Sequence, residues 1–522
     1  MFSVYFASDR SSSGKSTVTL AFSKALKDAG YSLSVYKAGP DFIDPVILSE
    51  ALNSDVCVKN LDPFLIPDKQ LTEWFFAGNE NAALMTEPSK KESAKRLDFR
   101  LRGNGICGEK AFVVESAMGL YDGNSYVIAK KFKFPVVLVM DCKRISSTMA
   151  SLVYGLKNYK RGVNVCGVIL NNISSPRHYE IISKEIKGNI ADIEVFGYVL
   201  NNEAIFSIKE RHLGLAAPSL ESKRGKKTFD KTVSGIKEAV FKNVDFNLLV
   251  KTLKENSQGF NKLFKKSHAE SKNATVGIDK INKPKKTKTK IAVALDKAFF
   301  FYYNFNFEIL KSFGAEIVFF SPLRDKTLPK GTRAVYIGGG YPEIYADALA
   351  ENAPIRKEIY EFFKNNGIIY AECGGLMYLC EKITYKRQSF AAAGIFPFRA
   401  SMDKGGLSLG YRTVRLKEKT FLGEAGLTVN GHEFHYSKLI GTAGNGTGTG
   451  GGADNKDASG GSRNYYGGFK DCRNVMEYES ISAPGIFKPE GYNILNTVGS
   501  YIHLSFYSNK LIAKNIVESA KN

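Results

Sequence analysis

The chain has little of what would tie it to an oxidising compartment, a bilayer or a nucleic acid. Its seven cysteines are scattered, with no C-x-x-C pair. That argues against a disulfide framework and a zinc site and points to a reducing compartment, so a cytoplasmic protein is expected. Long hydrophobic runs are missing too. The longest, Phe134 to Met140, is too short to cross a bilayer, and no membrane partner is expected. A strand pattern starts almost at Met1, leaving no visible signal peptide. Acidic residues are outnumbered, 52 Asp+Glu against 73 Lys+Arg, for a net charge of +21. Such a balance raises the question of nucleic acid. No nucleic-acid module signature accompanies it, however, and much of the lysine sits in tracts such as Lys283-Pro284-Lys285-Lys286-Thr287-Lys288. A solvated linker or attraction to an anionic substrate accounts for the charge, and no nucleic-acid partner is expected.

What is present is enough apolar sequence, 43% of 522 residues, for two or three cored domains. Up to about Lys254, apolar runs at Leu33–Tyr36, Ala111–Val114, Val136–Met140, Val165–Leu170 and Ile193–Tyr198 alternate with helical stretches. This predicts a doubly wound α/β domain over 1–254 with a mostly parallel sheet, whose ligands sit at the carboxyl ends of the strands. Residues 255–288, rich in Lys, Asn and Ser, read as a flexible linker. A second α/β series over 289–522 begins with Ile291–Leu295, Ala315–Phe320, Ala334–Ile337 and Gly367–Ala371. The glycine-rich tract Gly441 to Ser462 is expected to be a mobile surface loop within it.

The first domain turns on Ser11-Ser12-Ser13-Gly14-Lys15-Ser16-Thr17, set between the apolar run Val4–Ala7 and a helical pattern. Strand, small-residue turn, Gly-Lys-Ser and helix form the layout of a phosphate-binding loop, although Asp9 stands where the usual pattern has its first glycine. Backbone N–H groups at the helix start and the helix dipole favour phosphate there. Lys15 would reach the β/γ-phosphates and Ser16 would hold Mg²⁺. Lys37-Ala38-Gly39-Pro40-Asp41-Phe42-Ile43-Asp44 follows a predicted strand and offers two carboxylates in a rigid turn, for Mg²⁺ or as an ordinary polar loop. Val113-Val114-Glu115 ends a buried strand in a carboxylate, with Asp122 in the turn beyond. Asn171-Asn172 ends another strand and either reads an adenine edge or closes an Asx turn.

In the second domain, Tyr370-Ala371-Glu372-Cys373-Gly374-Gly375 runs from strand through cysteine and paired glycines into a helix. That elbow presents a nucleophile at a helix N-terminus, where the dipole favours thiolate. Upstream, Ile337-Gly338-Gly339-Gly340 has free N–H groups for an oxyanion. His503 is a partner for Cys373 only if the fold brings them together. His432 and His435 have metal-like spacing but no evident third ligand.

With these residues the chain resembles the cobyrinic acid a,c-diamide synthases, glutamine-dependent amidotransferases of cobalamin biosynthesis. The blocks that carry the resemblance are Ser11 to Thr17, Lys37 to Pro45, Asn60 to Pro63, Glu115 to Gly123 and Glu210 to Leu215, then Phe299 to Asn304, Gly339 to Glu343, Glu372 to Leu379, Gly431 to Ser437 and Gly499 to Leu504. They run in order over nearly the whole chain. The related cobyric acid synthases lack the Gly-Pro-Asp-Phe-Ile-Asp segment. The resemblance implies a dethiobiotin synthetase-like phosphate-loop domain followed by a class I glutamine amidotransferase-like domain. It implies ATP and Mg²⁺ as cofactors, L-glutamine as nitrogen donor, and cobyrinic acid or a related tetrapyrrole such as nickel-sirohydrochlorin as acceptor. Ser13, Gly14, Lys15, Ser16, Thr17 and Asn171 would bind the nucleotide, and Ser16, Asp41 and Glu115 the metal. Phe42 and Ile43 would touch substrate, with Asp44 and Asp122 orienting it or the ammonia. Gly339, Gly340 and Gly374 would serve the oxyanion, and Cys373 with His503 the glutamine amide.

Two departures stand out. Ser8 and Ser12 replace loop glycines, which bears on nucleotide affinity. Ser505 stands where ordinary class I glutamine amidotransferases have a glutamate two residues after the histidine, so no third partner is assigned. Arg211 and His212 carry no role, and the oligomeric state is open, a homodimer included. A MinD- or ParA-like switch ATPase would share the phosphate loop but would have no use for Cys373 and His503.

Overall fold

The computed structural model describes residues 1–52, 56, 58–77, 108–201, 223–273, 288–403, 405–441 and 472–521. Two compact units divide the chain, Met1–Ile281 and Asn282–Asn522.

The first unit is built on seven strands: β1 (Phe2–Ala7), β2 (Ser32–Ala38), β3 (Val58–Leu61), β4 (Lys110–Glu115), β5 (Pro135–Asp141), β6 (Asn164–Ile173) and β7 (Glu194–Leu200). Their order is β3-β2-β4-β1-β5-β6-β7, and every pairing is parallel. A parallel sheet covered on both faces asks for continuous apolar runs, and all of β1 is buried. Helices lie between and after the strands: α1 (Lys15–Asp28), α2 (Ile43–Ala51), α3 (Asp68–Ala77), α4 (Ser125–Phe132), α5 (Thr148–Asn158), α6 (Pro176–Asn189), α7 (Lys223–Phe241), α8 (Phe246–Asn256) and α9 (Gln258–Asn273). In α1, Val18, Phe22 and Leu26 recur at helical spacing and face the core. The register decides where the chemistry falls. Glu115 on β4 pairs with Phe6 on one side and Lys37 on the other, so the loop after β1, the lysine of β2 and the carboxylate of β4 meet at the carboxyl ends of these central strands.

The stretch expected to be a linker from residue 255 is helical as far as Asn273. Phe260 is buried and packs on Phe75, Phe76, Phe112 and Phe134. The buried Ser257 hydroxyl accepts from the Ser3 amide at 3.0 Å. Phe260, Phe264 and His268 lie on one helical face with Leu263 beside them, and most of the remaining positions are lysine, serine, asparagine and other polar residues. A single narrow apolar stripe is enough to dock a helix, yet it vanishes in an averaged composition. Residues 274–287, the block around Arg211 and His212, and the glycine-rich tract beyond Gly441 lie outside the described residues.

In the second unit the first strands are β8 (Thr289–Ala294), β9 (Ala315–Phe320), β10 (Ala334–Ile337) and β11 (Ile368–Glu372), with α10 (Asn304–Ser312), α11 (Ala346–Glu351) and α12 (Ala353–Lys364) between them. Helix α13 (Gly374–Leu379) follows β11 directly. Then come β12 (Cys380–Tyr385), β13 (Gln388–Ala391), β14 (Phe396–Ser401), β15 (Ser408–Leu416), β16 (Thr428–His435), β17 (Lys438–Gly441), β18 (Arg473–Ser480), β19 (Ala483–Ile494), β20 (Thr497–Ser500), β21 (Ile502–Leu504) and the closing α14 (Leu511–Ser519). The main sheet has the order β21-β16-β15-β18-β19-β20-β11-β10-β8-β9, and β13-β12-β14-β17 form a smaller one. From β9 to β20 the main sheet is parallel, and from β20 to β21 it is antiparallel. β20 joins the two halves and feeds β21 past the end of β11. Among the described residues no helix is long and apolar enough to cross a membrane.

Candidate active sites

The loop after β1 folds over the start of α1. Gly14 sits at φ +94°, and a Cβ there would lie 2.1 Å from the Asn171 amide nitrogen, so only glycine fits. That amide donates to the Ser13 carbonyl at 2.9 Å. Asn171 therefore braces the loop, which differs from reading an adenine edge. Asn172 donates to Asp141 Oδ1 at 2.8 Å. Lys15 is buried and its Nζ donates to Ser8 Oγ at 2.8 Å and to the Arg10 carbonyl at 2.9 Å. Burial pushes its pKa down to about 8, against the pull of Glu115. Ser13 Oγ donates to the same Arg10 carbonyl at 2.7 Å. Thr17 is half-buried in the first turn of α1. The two departures have distinct parts here: Ser8 gives Lys15 an acceptor, and Ser12 takes a left-handed φ of +60°, uncommon without glycine.

Ser16 Oγ donates to Glu115 Oε1 at 2.6 Å and lies 3.4 Å from Asp44 Oδ2. Lys37 Nζ bridges the same two carboxylates, at 2.7 Å from Glu115 Oε1 and in direct contact with Asp44. Asp41 stands at the margin, 3.9 Å from Lys37, with Oδ1 accepting from the Ile43 amide at 2.9 Å. Asp44, expected to orient substrate, thus stands with Ser16 and Glu115, while Asp41, expected in the metal set, sits beside Asp44 and farther from Lys37. The reason is local, since Asp41 closes its own turn and Asp44 lies one helical turn on, in α2. Glu115 Oε2 is buried with no hydrogen-bond partner among the described residues. A hydroxyl and two carboxylates, with one oxygen to spare, fit Mg²⁺ held jointly with a nucleotide.

Burial disfavours charge throughout this cluster. Even so, Glu115, Asp44 and Asp41 hold the Lys37 ammonium above its usual range. Asp44 is held below the carboxylate range because Lys37 outweighs its burial. Asp41 is pushed up to about 7 by burial and by Asp44. Asp122 is exposed and accepts from the Gly119 amide at 3.1 Å, closing its own turn rather than joining the cluster. That turn touches the loop, because the Leu120 amide donates to the Ser8 carbonyl at 2.7 Å. Phe42, expected against substrate, is buried, and of that pair only Ile43 offers surface. A cavity of about 430 Å³ opens at the ends of β5, β6 and β7, lined by Cys142, Lys143, Arg144, Asn172, His178 and Asn201 among others.

In the second unit β11 delivers Cys373 to the elbow with φ +50° and ψ −106°, a strained conformation for a non-glycine residue. Its amide donates to the Ser500 carbonyl at 2.7 Å, and Sγ lies 3.6 Å from the Phe434 carbonyl. His503, from β21, is brought to the same point. A Cβ on Gly339 would lie 2.5 Å from His503 Cε1, 2.8 Å from Nε2 and 3.3 Å from Cys373 Cβ. Gly339 is therefore the gap across which cysteine and histidine meet. Its carbonyl accepts from the Phe300 and Phe301 amides at 2.9 and 3.0 Å, so in a trans peptide the Gly340 N–H points the other way. The Gly340 nitrogen lies 3.0 Å from where a Cβ of Gly374 would be, which brings these two expected oxyanion donors together.

The thiolate expected at this elbow is not what its surroundings favour. Burial pushes the Cys373 thiol well up, and the nearby carboxylates, Glu343 first, add to this. The Gly374 amide at the start of α13 pulls the other way without reversing the effect.

Several residues here escaped the sequence reading. Glu372 is 1% exposed, and its Oε2 lies 3.5 Å from His503 Nδ1. Glu343 is buried, with its carboxyl pushed up to about 7 by burial. Glu433 pairs with Arg412 at 2.7 Å and His435 at 2.8 Å, and His435 stacks on Tyr501 at 3.7 Å. A cavity of about 460 Å³ borders His435, Ser437, Lys438, Tyr492 and Tyr501. His432 and His435 are three apart on a strand and face opposite sides. Burial and neighbouring His503 push His432 down to about 3, so it stays neutral. Among the described residues no group of three or more His, Cys, Asp or Glu could hold a metal.

Comparison with known proteins covers both units. Residues 4–215 match the CobQ/CobB/MinD/ParA nucleotide binding domain, and residues 290–511 match the CobB/CobQ-like glutamine amidotransferase domain. The chain is 34% identical over 432 residues to the cobyrinate a,c-diamide synthase of Streptococcus sanguinis, covering 81% of this chain and 84% of that protein. With the enzyme of the same name from Picrophilus torridus it shares 31% over 530 residues, covering 100% and 99%. With that of Limosilactobacillus reuteri it shares 33% over 519 residues, covering 98% and 96%.

Proposed function

The chain belongs to the cobyrinate a,c-diamide synthase family, and from that premise we propose that it converts the a and c acetate side chains of cobyrinic acid to amides through acyl phosphates. It is a glutamine-dependent amidotransferase that uses ATP. The observation that carries the finer reading is that one chain holds two different sites: a phosphate loop beside paired carboxylates, and a cysteine–histidine elbow. A switch ATPase needs only the first.

A carboxylate is a poor electrophile with a poor leaving group, and phosphorylation by ATP removes both obstacles. In this reading Lys15 and the loop amides stabilise the phosphoryl group in flight. Mg²⁺, when bound, would supply charge neutralisation on the phosphates, and Ser16, Asp44 and Glu115 would hold it. Lys37 keeps these two carboxylates together and sets a second ammonium where negative charge develops. Asp122 and Ile43 line the approach for the acetate or the ammonia. Adenine has the cavity beside Asn172, at the ends of the strands.

The glutaminase half starts from a neutral thiol. As Sγ attacks the glutamine amide carbon, His503 takes the thiol proton and passes it to the departing ammonia. The Gly340 and Gly374 amides receive the oxyanion. Water, activated by His503, then frees glutamate. Ammonia replaces phosphate on the acyl carbon. Domain roles follow, with synthetase chemistry in the first unit and glutaminase in the second. The test is to incubate the protein with ATP, glutamine and either cobyrinic acid or nickel-sirohydrochlorin and to weigh the products. The diamide from cobyrinic acid is expected; product from nickel-sirohydrochlorin alone would reassign the acceptor.

A further inference from the structure

Glu372 immediately precedes the nucleophile, and its carboxylate is enclosed, at 1% exposure. Three neutral donors converge on it. Tyr370 hydroxyl and the Leu504 amide donate to Oε1 at 2.7 and 2.9 Å, and Tyr336 hydroxyl donates to Oε2 at 2.7 Å. Oε2 is also 3.5 Å from His503 Nδ1. The opposite edge of that ring, Cε1 and Nε2, faces Gly339, whose other neighbour is the Cys373 Cβ. The imidazole therefore stands between a fixed carboxylate and the nucleophile. Catalytic hydrogen bonds are often long before substrate arrives, and a small ring rotation closes 3.5 Å.

We propose that Glu372 is the acidic partner of His503, a positioning residue that accepts Nδ1–H and so leaves Nε2 free to take the thiol proton. The proposal rests on the glutaminase reading of Cys373 and His503. Ser505, at the position where ordinary class I enzymes carry the glutamate, is a small buried residue whose amide is bonded to the Asn430 carbonyl at 2.8 Å. The carboxylate reaches the histidine from the other direction, along the nucleophile's own strand. The arrangement follows from topology. β20 pairs in parallel with β11, with Ser500 beside Glu372, and the chain then turns into β21, which carries the histidine back across the strand end. It also gives the buried carboxylate a purpose. A carboxylate surrounded by neutral donors is costly to enclose, and the cost is offset when its neighbour becomes an imidazolium during turnover. His432, the cross-strand neighbour of His503, stays neutral and offers no competing charge.

Glu372→Gln keeps the size and presents an amide N–H to Nδ1, which forces the histidine proton onto Nε2. The expected result is a fall in kcat for glutamine hydrolysis of at least about a hundredfold, since a triad held in the wrong tautomer loses orders of magnitude. KM for glutamine should change less than about threefold, because no contact to substrate is removed. Amidation driven by ammonium chloride should be unchanged, which also reports correct folding. In ¹⁵N-histidine spectra of the whole protein, His503 should be the Nδ1–H tautomer in wild type and the Nε2–H tautomer in the variant. Retention of glutamine-dependent kcat within about threefold would overturn the proposal. So would equal loss with glutamine and ammonium in a folded variant. If the variant does not fold, the wild-type spectrum decides, and an Nε2–H tautomer contradicts the assignment. A wild type that hydrolyses no glutamine at all would remove the underlying reading together with the proposal.

Discussion

At the phosphate loop, charge is abundant and balanced by contact, with Lys37 lodged between Asp44 and Glu115 and Lys15 turned onto its own loop. At the cysteine elbow, Cys373, the proposed nucleophile, is a thiol pushed well up by burial, beside the His503 ring and with carboxylates set behind or around it. The first arrangement suits a site that a highly charged ligand enters, where internal ion pairs hold the groups until phosphate exchanges with them. The second suits a site in which charge appears only during turnover. A preformed thiolate would be reactive at rest, whereas a thiol raised by burial is deprotonated when His503 and substrate are both in place. On the proposed function, the two halves of the reaction would rest on opposite electrostatic strategies.

Breaking the first site should have the largest effect. Lys15→Ala removes the ammonium proposed to stabilise the transferring phosphoryl group, and amidation should fall at least about a thousandfold with either glutamine or ammonium as donor. Product formation with each nitrogen source measures this, and near-normal turnover on ammonium would return Ser11–Thr17 to an ordinary turn. Gly339→Ala strikes the second site alone. The new methyl would lie 2.5 Å from His503 Cε1, so the ring must move. Glutamine-dependent amidation should drop about a hundredfold while ammonium-driven amidation stays.

Smaller effects concern stability and sharpen the contrast in charge. Lys37→Met leaves Asp44 and Glu115 enclosed without a cation, which costs about 3–5 kcal/mol. A denaturant midpoint unchanged near neutral pH would show that the lysine is not what balances the pair. Glu343→Gln tests the neutral character of the elbow. Its carboxyl is raised to about 7 by burial, so between the unfolded carboxyl value and about 7 the native state binds the extra proton. Stability contributed by this group is full below that window and falls as pH rises through it. The glutamine variant should match wild type at about pH 4 and exceed it by about 1–3 kcal/mol at about pH 8. Parallel pH profiles for the two proteins would contradict the raised carboxyl.

The two sites also differ in how far the sequence disclosed them. The phosphate loop is contiguous, so strand, Gly-Lys-Ser and helix could be read in order, and Glu115 at a strand end followed from the alternation. What sequence could not settle was which of Asp41 and Asp44 turns inward, since that depends on one residue closing its own turn. Lys37 could have been found: a lysine that ends an apolar strand just before two aspartates has no solvent to enter. The elbow draws on residues as distant as Gly339, Cys373, Phe434 and His503. The sequence resemblance united cysteine and histidine, but Glu372 stayed hidden because a glutamate beside a cysteine reads as part of the motif. The antiparallel half of the second sheet was also illegible. Its strands β15, β18 and β19 mix exposed charged positions with buried ones, a weaker pattern than the continuous apolar runs of the parallel half. Helix α9 escaped for a similar reason, its one apolar stripe lying among lysines.

The separation of the two sites is tested most directly by Cys373→Ser. The serine is nearly isosteric, and its hydroxyl is far harder to deprotonate than a thiol, so a site built around sulfur should not activate it. Product formation is measured with glutamine and, separately, with ammonium chloride at alkaline pH. The account predicts that glutamine-dependent amidation is lost while ammonium-dependent, ATP-driven amidation continues at the wild-type rate. Full activity with glutamine would make Cys373 a structural cysteine, and loss of the ammonium reaction in a folded variant would show that the two sites do not work as separate modules.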